Sequence, residues 1–166
     1  MTKSRYWLFK SEPGAYSIDD LKNDGTTFWD GVRNYQARNI LRDDIRAGDQ
    51  VLFYHSNASP PAVVGTATVA RAGYPYHTQF EQGHRKFDPK ATTEKPRWYM
   101  VDITFDTVFP EPLALEDLRE VAALQEMELL RKGSRLSVQP VRKREWDAIL
   151  KLAKNIPSPE NAKKRS

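Results

Sequence analysis

The chain has 166 residues, a net charge of +4, 39% hydrophobic and 29% charged side chains, and no cysteine. The lack of cysteine excludes a disulfide framework, a cysteine-ligated zinc site and a thiol nucleophile. No run approaches the roughly 18 apolar residues of a membrane span. Residues 1–10 lack the apolar core of a signal peptide. We therefore expect a globular, monomeric protein without a membrane partner, located in the cytoplasm or, in a eukaryote, in the nucleus.

The first predicted elements are a strand and two capped helices. Residues 6–10 are rich in aromatic side chains that favour a strand. Ser17, with Asp20 three residues later, is a capping pattern for a short helix that Gly25 closes. Asn34 can cap a second helix that runs to about residue 45.

The middle of the chain predicts three strands and one long loop. Strands are expected at 50–54 and 62–71, the second with a bulge at Gly65. Residues 74–96 show no clean period and contain several prolines, which indicates a long, partly ordered loop of functional interest. Residues 97–108 form the clearest strand pattern.

The C-terminal part predicts short helices at 115–120 and 125–130, a last strand at 135–138, a helix containing Trp146, and a disordered basic tail over 156–166. Strands scattered among short helices lack the regular alternation of a doubly wound fold. The fold class predicted for residues 1–155 is therefore α+β, a single domain built on a small, mostly antiparallel, barrel-like sheet with flanking helices.

The positive charge is unevenly distributed. Residues 142–166 carry eight Lys or Arg and three Asp or Glu, whereas the other 141 residues carry 18 basic and 19 acidic side chains. A protein that follows a long phosphate backbone needs a positive excess over its folded part. This distribution favours a ligand recognised through one base and a few phosphates.

Patterns that carry catalysis are mostly missing. The glycines are isolated, and the three histidines do not form the i, i+4 pair of a metal site, so we predict no metal and no cofactor. Ser56 follows His55, but neighbouring strand residues point to opposite faces and cannot form a dyad. A lone acid, Glu12 or Asp30, remains open as a general acid or base.

Segment 29–39 combines a Trp, a Tyr and two Arg around one Gly. Connecting loops are usually built from small and turn-forming residues, whereas aromatic rings beside planar polar groups suit a nucleobase. We expect one cavity with three kinds of side chain. They are Trp29, Tyr35, Tyr54 and Trp98 for stacking, Asn34, Ser56 and Asn57 for reading the base edge, and Lys10, Arg33, Arg38 and Arg97 for phosphate.

Some of these residues have a structural alternative. Trp29 stands next to a turn, which favours ligand contact over core packing. Trp98 is as well explained by packing, and Asn34 by helix capping alone. Trp7 and Trp146 are expected in the core.

Three consecutive cations, Arg142, Lys143 and Arg144, fall in the first turn of the predicted last helix. Cations at a helix N-terminus oppose the macrodipole, at about 0.3–1 kcal/mol each when exposed. Since the sequence shows no local benefit, we expect these side chains to contact phosphate.

Blocks of this sequence resemble the EVE domain family. They include WLFKSEP at 7–13, WDGVRNYQARN at 29–39 and FYHSN at 53–57, and further blocks lie at 74–75, 77–80, 88–89, 96–98, 100–102 and 135–140. The resemblance spans roughly residues 5–152 and implies a PUA-like fold with a closed or nearly closed β-barrel, related to the YTH and ASCH domains. Tyr76 stands where the family usually has an acid, and Ala62 where it commonly has Gly.

The resemblance also implies a function. The family pocket accepts a modified base flipped out of its strand, such as methylated or hydroxymethylated cytosine in DNA or a methylated base in RNA. The family's binding positions correspond here to Lys10, Ser11, Trp29, Val32, Asn34, Tyr35, Tyr54, His55, Ser56 and Trp98.

The leading hypothesis is a non-catalytic reader of a modified base in a nucleic acid, with Val32 as the apolar surface that meets the modification. Burying one methyl group contributes roughly 0.8 kcal/mol, a few-fold preference, so strong discrimination also needs shape exclusion. The alternatives are an enzyme that acts on a modified base or nucleotide through Glu12 or Asp30, and a sensor of free nucleosides.

Overall fold

The structure is a computed structural model that describes residues 5–29, 32, 34–133 and 136–155. The strands are β1 (Tyr6–Ser11), β2 (Thr26–Trp29), β3 (Gln50–His55), β4 (Ala62–Pro75), β5 (Tyr99–Ala114) and β6 (Val138–Val141). The helices are α1 (Ile18–Asp24), α2 (Tyr35–Asn39), α3 (Leu115–Leu118) and α4 (Lys143–Asn155), with a π-helical turn at Ile40–Asp44 and 3₁₀ turns at His77–Phe80, Ala122–Leu124 and Glu128–Leu130. The predicted tail at 156–166 lies outside the described residues.

All six strands belong to one sheet, in the order β2-β5-β4-β3-β1-β6. Only the β1–β3 pair is parallel, so the α+β class and the mostly antiparallel sheet are confirmed. The predicted barrel closure is wrong: within the described residues, β2 and β6 stand at the two ends of an open sheet. Both end strands are only four residues long, and each is paired along one edge.

Local capping signals predicted the helix ends well. The Ser17 side chain accepts from the Asp20 N–H, and the Asp20 carboxylate accepts from the Ser17 N–H, which is a complete capping box. Gly25 ends α1 with a positive φ of 79°. The Asn34 side chain caps α2, and the π-helical turn continues this helix to Asp44.

Strand β5 is longer than predicted, and prolines explain its irregular pairing. Gly65 pairs with Val108 and Val63 pairs with Leu113, so four residues of β5, including two prolines, lie between consecutive pairs. Proline has no N–H to donate to a ladder. The predicted bulge next to Gly65 appears in the β3–β4 pair, where consecutive residues Phe53 and Tyr54 pair with Gly65 and Val63 and leave Val64 as the extra residue. A Cβ atom at Gly65 would lie 2.2 Å from the Thr107 carbonyl oxygen.

Strand alternation divides most of the interior into two large cores, and a small third cluster contains Tyr76, Trp98 and Met100. One large core contains Trp7, Phe9 and Phe53, and α1 and α2 contribute to it; the other contains Tyr54 and Trp146, with α4. Both tryptophans expected in the core are buried there. Within the described residues, no helix is long and apolar enough to cross a membrane.

A buried carboxylate joins the start of β1 to the turn before β3. Asp49 is 2% exposed and accepts from the Trp7 indole Nε1 at 2.9 Å, the Arg5 backbone N at 3.0 Å and the Arg46 backbone N at 2.9 Å. Hydrogen bonds to an ionised acceptor are about twice as strong as neutral ones. Asp49 therefore holds together two segments that are far apart in sequence.

Replacing Asp49 with Ala should lower the free energy of unfolding by about 3 kcal/mol, because three donors lose an anionic acceptor. Urea denaturation measures this change. Asp43→Ala is the matched control, since its carboxylate is exposed and contacts Arg42 at the surface; we expect little change there. Equal effects of the two substitutions would contradict the structural role of Asp49.

Candidate functional site

An open cavity lies beside the end of β2, next to the turn that follows β1. Its volume is about 380 Å³, near the lower end of small-molecule sites, which span about 300–1,000 Å³. The aromatic, hydroxyl and cationic side chains that line it are Ser11, Tyr16, Phe28, Trp29, Arg85 and Lys86. We call it the Trp29 cavity; it brings together two predicted binding residues, Ser11 and Trp29.

Trp29 is held in place by three aromatic rings. Its ring centroid lies 5.3 Å from Phe9, 5.5 Å from Phe53 in an edge contact, and 6.4 Å from Tyr16, also edge-on. The indole is half-buried, so it packs on the first core and borders the cavity. Such packing fixes the orientation of the flat surface before any ligand arrives.

The polar groups of the cavity are oriented by neighbouring backbone and side chains. The Ser11 hydroxyl donates to the Tyr16 carbonyl oxygen at 2.7 Å, which leaves its oxygen as an acceptor for a ligand N–H. The Tyr16 hydroxyl donates to Asp24 at 2.7 Å. Burial, together with this hydrogen bond, raises the pKa of Tyr16, so the phenol is neutral.

Two cations at the cavity, Arg85 and Lys86, come from the long loop before β5. The Arg85 side chain is exposed and makes no hydrogen bond or ion pair with a described residue. Sequence reasoning missed both, because the loop has no periodicity. It also missed Phe28, although two large aromatics in succession on an edge strand must face opposite sides; Phe28 is 59% exposed.

His55 and Ser56 are not among the residues that line the cavity. His55 pairs with Ser11 in the parallel ladder, and its Nε2 accepts from the Ile18 backbone N–H at 3.0 Å. The Ser56 N–H donates to the Ser11 carbonyl oxygen at 3.0 Å. These two residues therefore position Ser11 and the start of α1; direct contact with a base remains a prediction.

The structure does not bring Tyr54 and Lys10 to the Trp29 cavity. Tyr54 is 4% exposed and belongs to the second core, because strand alternation places Phe53 instead behind Trp29. The Lys10 ammonium lies 5.9 Å from the centre of the Tyr54 ring. Burial lowers the pKa of Lys10, partly offset by Glu128.

Asn34 and Val32 have structural roles near α2. The Asn34 Oδ1 accepts from the Ala37 N–H at 2.9 Å, so the amide oxygen is committed to the helix cap. Val32 is buried in the first core and is not among the residues that line the cavity. The candidates Asp30 and Arg33 lie outside the described residues.

A second aromatic group lies at the start of α2. Tyr35 is 47% exposed and stacks on buried Trp98, with ring centroids 5.1 Å apart and planes tilted by 24°. The guanidinium carbons of Arg38 and Arg97 lie 4.9 and 5.5 Å from the centre of the Tyr35 ring. Four predicted binding residues therefore meet here, at a place separate from the Trp29 cavity lining.

A buried glutamine orders the loop that precedes β5. The Gln79 Oε1 accepts from the backbone N–H groups of Arg97 and Trp98, at 3.0 and 2.9 Å. Its Nε2 donates to the carbonyl oxygens of Tyr76 and Trp98, both at 2.8 Å. The Trp98 indole also donates to Asp88 at 2.6 Å. Side-chain hydrogen bonds that no sequence pattern predicts thus order this loop, in which the 3₁₀ turn at His77–Phe80 contains Gln79 itself.

The three cations at the start of α4 form ion pairs with nearby carboxylates. Arg142 and Arg144 contact Glu126 at 2.9 and 3.2 Å, and Lys143 contacts Asp147 at 2.9 Å. The premise that these cations lack a local benefit is wrong, because carboxylates 4 to 18 residues away pair with them. A contact to phosphate remains a prediction.

Of the two acids considered for the enzyme alternative, Glu12 lies within the described residues. Glu12 is exposed in the turn after β1 and does not line the Trp29 cavity. In the part of the chain that the structure describes, no group of three or more histidines and carboxylates is arranged to hold a metal ion.

His55 should make stability depend on pH. Burial lowers its pKa, and its Nε2 can accept from Ile18 only when the ring is neutral. Because the folded pKa lies below the unfolded value of about 6.5, this contribution is complete above that value and is lost as the pH falls through the folded pKa. As the pH falls from 7.5 to 5, the melting temperature of His55→Gln should therefore decrease less than that of the wild type. His77→Gln, at an exposed histidine, is the control; a wild-type pH dependence in His55→Gln would contradict the assignment.

Comparison with known proteins places the chain in a family. The EVE domain model matches residues 5–152. Thymocyte nuclear protein 1 of Mus musculus is 40% identical over 174 residues, covering 93% of this chain and 76% of that protein. A hypothetical protein from Leishmania major superposes with a TM-score of 0.85 at 47% identity, covering 92% of this chain and 96% of that one.

A further similar structure contains DNA. The human THYN1 protein in complex with 5-methylcytosine containing DNA has a TM-score of 0.84 at 38% identity, covering 93% of this chain and 100% of that chain. A family match over most of the sequence, with relatives of this identity and coverage, shows that the chain belongs to the EVE domain family.

Proposed function

We propose that this protein binds DNA that carries a modified base, such as 5-methylcytosine, and holds the base in the Trp29 cavity without changing it chemically. The observation that carries the proposal is a cavity with a fixed indole on one side and two cations at its border. Further support comes from the similar human THYN1 structure, which is a complex with 5-methylcytosine containing DNA.

Stacking on Trp29 can offset much of the free energy that a base loses when it leaves its own stack. Flipping costs a few kcal/mol in a duplex and less in a single strand. Stacking on an aromatic side chain returns about 1–3 kcal/mol per base. Trp29 supplies this surface, and the Ser11 hydroxyl oxygen can accept a hydrogen bond from the exocyclic amino group of cytosine. Cations must supply the rest of the affinity.

Recognition of the added methyl group requires apolar surface in the cavity. One buried methyl contributes about 0.8 kcal/mol, so an apolar contact alone gives only a few-fold preference. Val32, the predicted contact, is in the core. Ala15 and Phe28 are the apolar cavity residues beside Trp29, and we assign them this role.

Trp29→Leu should reduce the preference for modified over unmodified DNA. The substitution keeps an apolar side chain against Phe9 and Phe53 but removes the flat surface. Fluorescence anisotropy with matched oligonucleotides, with and without one 5-methylcytosine, measures the ratio of dissociation constants. We expect that ratio to fall toward one.

Phe105→Leu is the matched control, because Phe105 is also half-buried against the first core and does not line the cavity. It should keep the wild-type ratio. An unchanged ratio in Trp29→Leu, with the circular dichroism spectrum intact, would count against the Trp29 cavity. Equal binding of both oligonucleotides by the wild type would reject modified-base recognition.

Arg85→Gln should weaken binding to modified and unmodified DNA by the same factor, because phosphate contacts carry no base information. The slope of log affinity against log salt should fall in magnitude by about 0.7–0.9. The control is Arg131→Gln, at an exposed arginine 3.6 Å from Glu128. A salt slope that both substitutions change equally would refute a specific contact by Arg85.

The enzyme and sensor alternatives make different predictions in the same assay. Incubation with the modified oligonucleotide, followed by nucleoside chromatography, should return the modified base unchanged; a product would identify an enzyme. RNA of the same sequence distinguishes the two polymers. Binding of free nucleoside as tight as that of the oligonucleotide would favour a sensor.

A further inference from the structure

Tyr35 is an exposed aromatic residue with rigid support. Nearly half of its surface is open to solvent, yet its ring stacks on Trp98, which is 5% exposed. Trp98 is fixed by Gln79 on its backbone N–H and carbonyl groups and by Asp88 on its indole N–H. An exposed ring fixed in this way loses little freedom when a ligand binds.

The cations beside Tyr35 are oriented mainly by neutral groups. Arg38 donates from Nη1 to the Arg97 carbonyl oxygen at 3.0 Å and from Nε to the Asn39 Oδ1 at 2.9 Å. Within the described residues, no carboxylate forms an ion pair with Arg38. Arg97 has only a long contact of 3.6 Å to Asp88. The charge of Arg38 is therefore available to an anion.

This group lies close to the Trp29 cavity along the chain. Arg85 lines the cavity, and Asp88, which contacts Trp98, follows three residues later. Three residues span at most about 11 Å. Trp29 also pairs with Val101, three residues after Trp98. Three steps of a stacked strand, at about 3.4 Å each, cover about the same length as this segment.

We propose that Tyr35, Arg38 and Arg97 form a second subsite, which binds a nucleotide within about three steps of the modified base in the same strand. The base stacks against the Tyr35 and Arg38 surface, and its phosphate contacts the guanidinium groups. This inference rests on the proposed function, because it takes the Trp29 cavity as the place of the modified base. It assigns Trp29 to the modified base and Tyr35, supported by Trp98, to a second nucleotide.

The test compares three probes: a single-stranded oligonucleotide with one 5-methylcytosine, its unmodified counterpart, and free 5-methyl-2′-deoxycytidine. Tyr35→Ala and Arg38→Gln should each weaken binding to both oligonucleotides, Tyr35→Ala by about tenfold. The ratio between the two oligonucleotides and the affinity for the free nucleoside should stay at their wild-type values. Tyr35→Phe, which keeps the ring, should retain oligonucleotide affinity.

Tyr6→Ala is the matched control, since Tyr6 also packs on a buried tryptophan, Trp146, with centroids 4.9 Å apart, in the second core. It should leave all three affinities unchanged. Unchanged oligonucleotide affinity in Tyr35→Ala, or an equal loss for the free nucleoside, would overturn the second subsite. Equal binding of both oligonucleotides by the wild type would refute modified-base recognition but not the second subsite. In that case the loss of oligonucleotide affinity in Tyr35→Ala would still test the second subsite.

Discussion

The parallel pairing of β1 with β3 is the constraint on which the candidate site depends. It sets Phe9 beside Phe53 and Ser11 beside His55. The two phenylalanines support the indole of Trp29, and His55 accepts from the first N–H of α1. A shift of one residue in either strand would turn these side chains to the opposite face of the sheet. Core packing and site geometry are therefore set by the same ladder.

The two aromatic groups differ in how they are supported. Trp29 rests on hydrophobic rings of the first core, whereas Tyr35 rests on Trp98, which is itself held by hydrogen bonds from Gln79 and Asp88. Packing tolerates small adjustments, while a fully bonded buried amide has one geometry. A loop whose regular structure is the 3₁₀ turn at His77–Phe80 can therefore present a well-defined surface. Under the proposed function, the two groups would serve one strand of nucleic acid in different ways.

Whether a cation forms an ion pair matters more for ligand binding than the net charge of the chain. The cations at the start of α4 face Glu126 and Asp147, which offsets their conflict with the helix dipole. Within the described residues, Arg38 and Arg85 form no ion pair with a carboxylate, although the charge of Arg38 contributes to lowering the pKa of Asp43. Because exposed ion pairs already satisfy part of their charge, an incoming phosphate gains most at unpaired arginines. Although the net charge of the chain is small, a few arginines are thus available to bind phosphate.

The sequence by itself determined the local features: the capping box at Ser17, the cap at Asn34, the mostly antiparallel α+β class and the family resemblance, which the family match confirms. Each depends on residues a few positions apart or on blocks that can be read directly. Only the tertiary structure decided that Phe53 and not Tyr54 supports Trp29, that the sheet stays open, and that Arg85 joins the cavity. Those outcomes depend on contacts between residues far apart in the sequence, such as Tyr6 with Val141 in the sheet and Ser11 with Arg85 at the cavity, because the face of a strand that meets a partner is set by packing and not by local propensity.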